Sequence, residues 1–337
     1  MASRPLYGMK ATAKAHPIQG LVKYHGMRNS ERRYPYHDSI SLCTAPSHTK
    51  TTVEFDGSLD GDVFVIDGDR VEGRGAERIQ SVVDEVRERA TADYAADPVR
   101  LESENDFPSN VGLGSSASGF AAAALALAEA ADLDYTLPDV STIARLGSAS
   151  AARAVTGAYS DLYTGGNDAD CRSERLDVAD DLEEDVRIVI GLVPAYKETE
   201  QAHKEAEESH MFEARMAHVH DQLVEMKDAL RAGDFDRVFE TAEKDSLSLA
   251  ATTMTGPAAW VYWQPETLEI FNTVRDLRNH EGIPVYFSTD TGATVYVNTK
   301  AEHADEVEAA VAETGVDTMV WKPGGPARVL DDADALF

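Results

Sequence analysis

Between Phe107 and Gly119 the chain reads Phe-Pro-Ser-Asn-Val-Gly-Leu-Gly-Ser-Ser-Ala-Ser-Gly, then runs straight into an alanine-rich segment, Phe120 to Ala131. A loop of glycines and hydroxyls that opens a helix is a phosphate site. The first backbone N–H groups of a helix lack internal partners, the aligned peptide dipoles place partial positive charge there, and glycine lets a polyphosphate approach the backbone. Ser115, Ser116 and Ser118 add hydroxyl donors. The loop lacks the Gly-Lys-Ser/Thr ending of a Walker A motif, and no Gly-x-Ser-x-Gly nucleophile elbow can be laid on it. The bland alternative is that small residues only let the helix pack closely. The concentration of glycines and hydroxyls just ahead of the helix favours the phosphate.

Periodicity places this loop in a mixed chain. Strand-length apolar and β-branched runs occur at Lys10–His16, Ser39–Cys43, Thr49–Phe55 and Val63–Asp67, after a short loose N-terminus. Arg78–Thr91 has helical spacing, and Asp139–Val155 reads as one helix introduced by Pro138. The acidic run Asp177–Asp185 reads as a solvated connection. Beyond it, Val186–Val193 is a strand, and Thr199–Leu230 and Phe235–Leu249 are helices separated by Gly233. Pro265–Asn279 and Ala301–Thr314 are further helices. Val285–Ser288 and Ala293–Asn298 are strands flanking an Asp-Thr-Gly turn, and Thr318–Lys322 is a last strand. The expected fold class is α+β in two lobes, residues 10–182 and 183–330, with the ligand between them.

Charge narrows the partners. Against 31 Lys+Arg stand 60 Asp+Glu, a net charge of −29, with the acids dispersed along the chain. Nucleic acid, which needs clustered cations, is not an expected partner. Only ten of the cations are lysines. An acidic surface short of ammonium groups, far beyond the net charge of roughly 2 to 8 that solubility requires of a small domain, points to a high-salt cytosol. Cys43 and Cys171 stand alone, without a CxxC or a histidine cluster, and read as inert buried thiols. The histidines, His203, His210, His218 and His220 among them, are spaced too irregularly for a metal site and read as mainly solvated. No apolar run approaches the ~20 residues of a membrane span, so the protein is expected in the cytoplasm, with no membrane partner.

The loop Pro-x-x-x-Gly-Leu-Gly-Ser-Ser-Ala resembles the phosphate loop of the GHMP kinase superfamily, and three further segments narrow the resemblance. Val22-Lys23-Tyr24-His25-Gly26-Met27-Arg28 is similar to the Lys-Tyr-Trp-Gly-Lys-Arg signature of mevalonate diphosphate decarboxylases. Gly147-Ser148-Ala149-Ser150-Ala151-Ala152-Arg153 resembles their Gly-Ser-Gly-Ser-Ala-Cys-Arg. Phe287-Ser288-Thr289-Asp290-Thr291-Gly292-Ala293 resembles their Thr-Phe-Asp-Ala-Gly-Pro-Asn. The four motifs stand in family order across most of the chain. The resemblance implies a GHMP kinase fold, a two-lobed α/β sandwich with a ferredoxin-like second lobe, acting as a homodimer.

It also implies roles. The family phosphorylates the tertiary 3-hydroxyl of a phosphorylated mevalonate from ATP, then expels that phosphate with carbon dioxide. Asp290 would align and deprotonate the hydroxyl, and Lys23 would keep that carboxylate ionised. Arg153 would grip the substrate carboxylate with its planar fork. Tyr24, Ser148 and Ser150 would contact the substrate. Gly112, Leu113, Gly114, Ser115, Ser116 and Ala117 would hold ATP, with Mg²⁺ neutralising its phosphates. No ligand for the metal is identifiable in the sequence. The bland readings are a turn aspartate, a surface lysine and a dipole-capping arginine.

Two departures bear on the substrate. His25 and Met27 stand where the family has Trp and Lys, and His16-Pro17-Ile18-Gln19-Gly20 lacks the family's Asn. Losing a cation and a polar donor at the substrate's phosphate end disfavours a diphosphate. The expected activity is ATP-dependent decarboxylation of mevalonate 5-phosphate to isopentenyl phosphate, as in the phosphomevalonate decarboxylases of halophilic archaea. The alternatives are the 5-diphosphate enzyme, a kinase that stops after 3-phosphorylation, and a silent nucleotide-binding regulator.

The acidic composition makes its own prediction. Dispersed carboxylates repel one another, and the Debye length falls from ~10 Å at 0.1 M to ~3 Å at 1 M salt. The melting temperature should therefore climb steeply from low to molar KCl in thermal unfolding; a flat profile removes the inference of a high-salt setting.

Overall fold

The structure, a computed structural model, describes residues 9–108, 112–195 and 205–337. Residues 109–111 of the phosphate loop, residues 199–204 of the expected long helix and His203 lie outside them.

The described strands form two main sheets. In the first, six strands run in the order Arg328–Leu330, Lys10–Ala15, Thr49–Phe55, Val99–Asn105, Val63–Ile66 and Asp69–Arg70. In the second, eight strands include Ser173–Arg175, Tyr159–Leu162, Ser39–Ala45, Asp317–Pro323, Val186–Leu192, Val295–Lys300 and Val285–Ser288 in that order, with Ile18–Val22 on Ser39–Ala45. The two halves of the sequence are interleaved in both sheets. Lys322 and Pro323 pair with Ala45 and Thr44, and Leu330, Val329 and Arg328 pair with Thr12, Ala13 and Lys14.

The helix Ser115–Ala130 lies at the centre of the first core. Its alanines from Ala121 to Ala126 are all buried, alongside Ile79, Val83 and Val86 of the helix Gly73–Arg89 and Val140, Ile143 and Ala144 of the helix Leu137–Gly147. A helix apolar on every face must be covered on every face, and alanine allows the covering elements close. The helix Leu137–Gly147 starts where expected: Thr136 and Asp139 form a reciprocal capping box ahead of Pro138. The second core gathers Tyr159, Trp321 and Phe239, and a third stacks Phe271 on Phe287 at 3.8 Å between ring centroids.

Several expectations are corrected. Asp139–Val155 is two helices, Leu137–Gly147 and Ala151–Thr156, broken at Ser148-Ala149-Ser150. A Cβ at Gly147 would overlap the Phe120 ring, and Ser148 turns extended at φ −158°, so tight packing stops the first helix. The acidic connection contains a one-turn helix, Asp180–Glu184, because Leu182 is buried beneath it. The strands Ile18–Val22, Val99–Asn105, Tyr159–Leu162 and Arg328–Leu330 were not expected from the pattern. Ile18–Val22 carries Gln19 and Gly20 yet is buried throughout, and Val99–Asn105 hides its alternation among charged residues. Among the described residues, no helix is long and apolar enough to cross a membrane.

Gly157 ends the helix Ala151–Thr156 at φ +72°, and a Cβ there would overlap the backbone of Gly325 and Pro326. Both left-handed strain and collision oppose a side chain at this point. Gly157→Ala should therefore cost roughly 2 kcal/mol or more, read as a lower denaturant midpoint at unchanged slope.

Candidate active site

A cavity of about 300 Å³ opens where the two halves of the sequence meet. Ile18 to Arg153 supply most of its wall, and Leu249, Asp290 and Thr291 close it from the second half. Gly112 at φ +93° and Gly114 at φ +77° bring the loop into the helix Ser115–Ala130 in conformations that suit glycine. Gly114 also lies against Ile18, whose carbonyl oxygen would be 3.3 Å from an added Cβ. The Gly114 carbonyl accepts from the N–H groups of Ala117 and Ser118. The loop is tied down by Tyr296, whose hydroxyl donates to the Gly112 carbonyl at 3.0 Å. The helix N-terminus, with Ser115 and Ser116, faces the cavity.

Opposite the loop, Lys23 and Asp290 flank Gly20. The Gly20 N–H donates to Asp290 Oδ1 at 3.3 Å. A Cβ on Gly20 would stand 2.6 Å from Lys23 Cγ and 2.7 Å from Asp290 Oδ1, so a glycine is what lets the two functional groups converge. Lys23 is buried, and its ammonium donates to Ser246 Oγ and Ser288 Oγ, both at 3.1 Å, with Asp245 Oδ2 3.7 Å away. Burial lowers the Lys23 pKa, opposed by the negative charges of Asp245 and Asp290. Asp245 also accepts from the Lys23 N–H at 2.9 Å and from Arg215 at 3.0 Å, while Arg215 donates to the Lys23 carbonyl at 2.5 Å.

The third wall is the break between helices. Ser148 and Ser150 share a hydroxyl contact of 2.8 Å. Arg153, one turn on, is only 3% exposed, and its Nε and Nη1 are buried without a hydrogen-bond partner. Its guanidinium lies 5.4 Å from the Tyr24 ring centre. Burial pulls the Arg153 pKa down, partly offset by Tyr24 and Asp290. A buried guanidinium with idle donors is costly unless an anion completes it. At the end of the helix Leu137–Gly147, Arg33 donates to the Leu146 carbonyl at 2.7 Å and Arg78 to the Gly147 carbonyl at 2.7 and 2.9 Å. Burial and the neighbouring Arg33 charge bring the Arg78 pKa down to about 10.

The residues to which the resemblance gave catalytic, substrate and ATP roles all line this one cavity: Asp290, Lys23, Arg153, Tyr24, Ser148, Ser150 and the run Gly112 to Ala117. Ser118 does not. It is buried on the sheet side of its helix, 2.7 Å from Thr49 Oγ1, because its position one turn in faces the core. His25 and His37 are buried rather than solvated, with the His37 pKa brought down by burial to about 4, whereas His210, His218 and His220 are exposed. Cys43 and Cys171 are buried free thiols, the first pushed up to about 12 by burial.

Sequence reasoning missed Arg33 and Arg78 on the cavity wall and the Asp245–Ser246–Arg215 support behind Lys23. Only Asp245 carried a signal, as a carboxylate on the inward face of an amphipathic helix, Phe235–Met254. Among the described residues, no group of three or more His, Cys, Asp or Glu could hold a metal ion.

Comparison with known proteins supplies the lineage. Residues 15–173 match the diphosphomevalonate decarboxylase-like N-terminal domain, and residues 195–321 match the mevalonate 5-diphosphate decarboxylase C-terminal domain. The chain is 73% identical to the phosphomevalonate decarboxylase of Haloferax volcanii over 98% of this chain and all of that one. It is 29% identical to the diphosphomevalonate decarboxylase of Candida albicans over 86% and 84% of the two chains. The crystal structure of the Staphylococcus aureus mevalonate diphosphate decarboxylase superposes with a TM-score of 0.90 at 26% identity, covering 96% of this chain and 98% of that one. A complex of MDDEF with MVAPP, AMPPCP and magnesium superposes at 0.88 with 27% identity over 96% and 99%. The interleaved sheets, the glycine loop and the convergence of four motifs on one cavity thus have their counterpart in a known lineage, and the chain belongs to the mevalonate diphosphate decarboxylase family of the GHMP kinase superfamily.

Proposed function

We propose that the protein converts mevalonate 5-phosphate and ATP to isopentenyl phosphate, ADP, phosphate and carbon dioxide, a step of isoprenoid biosynthesis by a modified mevalonate pathway. The observation that carries this reading is Arg153: a buried guanidinium with two idle donors, on the wall of a cavity that also holds a carboxylate and a phosphate loop. The 73% identity to the Haloferax volcanii phosphomevalonate decarboxylase supports the monophosphate as substrate. The diphosphate is the second reading, favoured by the family's own description and by the MVAPP bound in a neighbour of similar fold.

The residues divide the work by position. Asp290, held by the Gly20 N–H, accepts the 3-hydroxyl proton and aligns that oxygen with the γ-phosphoryl group. Lys23 meets the negative charge that develops on the transferring group. Arg153 binds the substrate carboxylate in both nitrogens, which orients the bond that releases carbon dioxide. Ser148, Ser150 and Tyr24 line the substrate's path. Gly112 to Ala117 cradle the ATP phosphates, with the closest approach allowed by two glycines. Ser115 or Ser116, both on the cavity wall, would hold Mg²⁺ together with the ATP phosphates, where it would supply neutralisation of phosphate charge. The same reading carries the lobes 10–182 and 183–330 and, through the family resemblance, a homodimer; the acidic composition and the Haloferax relative support a cytoplasm of high salt.

Two assays test the reading. With ATP and, in parallel, mevalonate, its 5-phosphate and its 5-diphosphate, carbon dioxide should be released from the 5-phosphate and much more slowly from the 5-diphosphate; equal or faster turnover of the diphosphate reverses the substrate assignment. Asp290→Asn keeps shape and removes charge. Its turnover should fall by roughly 10²–10⁴-fold while nucleotide affinity holds, and near-normal turnover would move the base elsewhere.

A further inference from the structure

The helix Leu137–Gly147 ends against the cavity, and the last carbonyls of any helix lack intrahelical partners. Here two successive ones, on Leu146 and Gly147, are taken by the guanidinium groups of Arg33 and Arg78. Each arginine uses one edge on the helix end. Among the described residues Arg33 commits only Nε, which leaves both its terminal nitrogens for other partners, and it lines the cavity with Ser148 and Ser150. Burial and the positive charge of Arg74 bring its pKa down, opposed by Tyr24.

Arg33 holds this place against its own backbone preference, at φ +53°, a left-handed conformation that a branched or long side chain seldom adopts. The residues around it enforce the geometry. Arg32 pairs with Asp168, Arg145 donates to the Arg32 carbonyl and also pairs with Asp168, and Tyr34 donates to Asp168 at 3.0 Å. The hairpin Met27–Asn29 with Tyr34–Pro35 is thereby fixed to the helix that ends at Gly147. A strained backbone, a rigid mount and a guanidinium on the cavity wall together describe a group held for an anion.

We infer that Arg33 is a specificity-determining residue, which binds the 5-phosphoryl group of the substrate from its anchor on Leu146. The inference rests on the proposed mevalonate-phosphate substrate. Arg33 and Arg78, whose charges act on one another on the same cavity wall, match the two charges of a phosphate monoester, and a pair fixed on one helix end discriminates against an anion of different length and charge.

The test is steady-state kinetics of the full chain with ATP and either mevalonate 5-phosphate or its 5-diphosphate, for wild type, Arg33→Gly and Arg33→Lys, with thermal unfolding of each. Arg33→Gly relieves the left-handed strain while losing the bond to the Leu146 carbonyl and loosening the unfolded chain, so it should melt within a few degrees of wild type. Its KM for the 5-phosphate should rise roughly 10- to 100-fold, the loss expected for charge-assisted hydrogen bonds, with kcat and the KM for ATP within about two-fold of wild type. The preference for monophosphate over diphosphate should shrink, and Arg33→Lys, with charge but no fork, should recover part of the affinity. An unchanged KM for the 5-phosphate in Arg33→Gly, a loss confined to kcat or to ATP, or an unchanged preference between the two substrates overturns the role of Arg33. The substrate reading itself is judged on wild type alone. Calorimetric binding of mevalonate 5-phosphate to wild type and Arg33→Gly decides the Arg33 question even where turnover is absent, equal affinities counting against it.

Discussion

The buried ammonium of Lys23 is the point on which the two halves of the molecule converge. It sits just past the strand Ile18–Val22 in the first half, and everything that satisfies it, Asp245, Ser246 and Ser288, comes from the second. Taking a charge out of water costs several kcal/mol unless geometry restores its partners. Three polar groups at hydrogen-bonding or ion-pair range do so here, and Arg215 then ties Asp245 to the Lys23 backbone. The arrangement makes the position of the cation a property of the assembled fold: neither half alone could keep a charged lysine in that place.

The same logic, with the last partner left open, describes the opposite wall. Arg153 is as deeply buried as Lys23, yet two of its nitrogens have no protein partner. The Tyr24 ring face compensates part of the charge, an interaction of about 0.5–2 kcal/mol. An anionic substrate supplies what remains. Site preorganisation is therefore unequal: the lysine is held by two hydroxyls and a carboxylate of the protein, and the arginine is completed by what binds.

The motifs that carry chemistry were legible because chemistry needs particular residue types at fixed spacing. The glycine loop, Lys23-Tyr24, Ser148 to Arg153 and Asp290 could all be located before any contact was known, and the cavity gathers them. What was not legible depended on distance in the chain. Gly147 stops its helix because Phe120 is in the way, and no local pattern announces that. Ile18–Val22 is a strand because it is covered on both faces, despite Gln19 and Gly20. Arg33 sits in an unremarkable charged run, Glu31-Arg32-Arg33, so its place on the cavity wall comes from a hairpin bent back onto the end of a helix. Ser118 resembled its neighbours Ser115 and Ser116, and one turn of helix was enough to point it into the core.

The return of the C-terminal segment to the first sheet has a consequence for synthesis. Lys10–Ala15, almost the first strand made, pairs on one side with Thr49–Phe55 and on the other with Arg328–Leu330, almost the last. Until residues 328–330 leave the ribosome, that strand presents an unpaired edge, whereas Ser39–Ala45 is already flanked by Ile18–Val22 and Tyr159–Leu162 and meets Asp317–Pro323 only at Thr44 and Ala45. Contacts of such long sequence separation form late and slowly. A nascent chain of this protein therefore carries an open edge on its first sheet for most of its synthesis, and that sheet is complete only when residues 328–330 return to Lys10–Ala15.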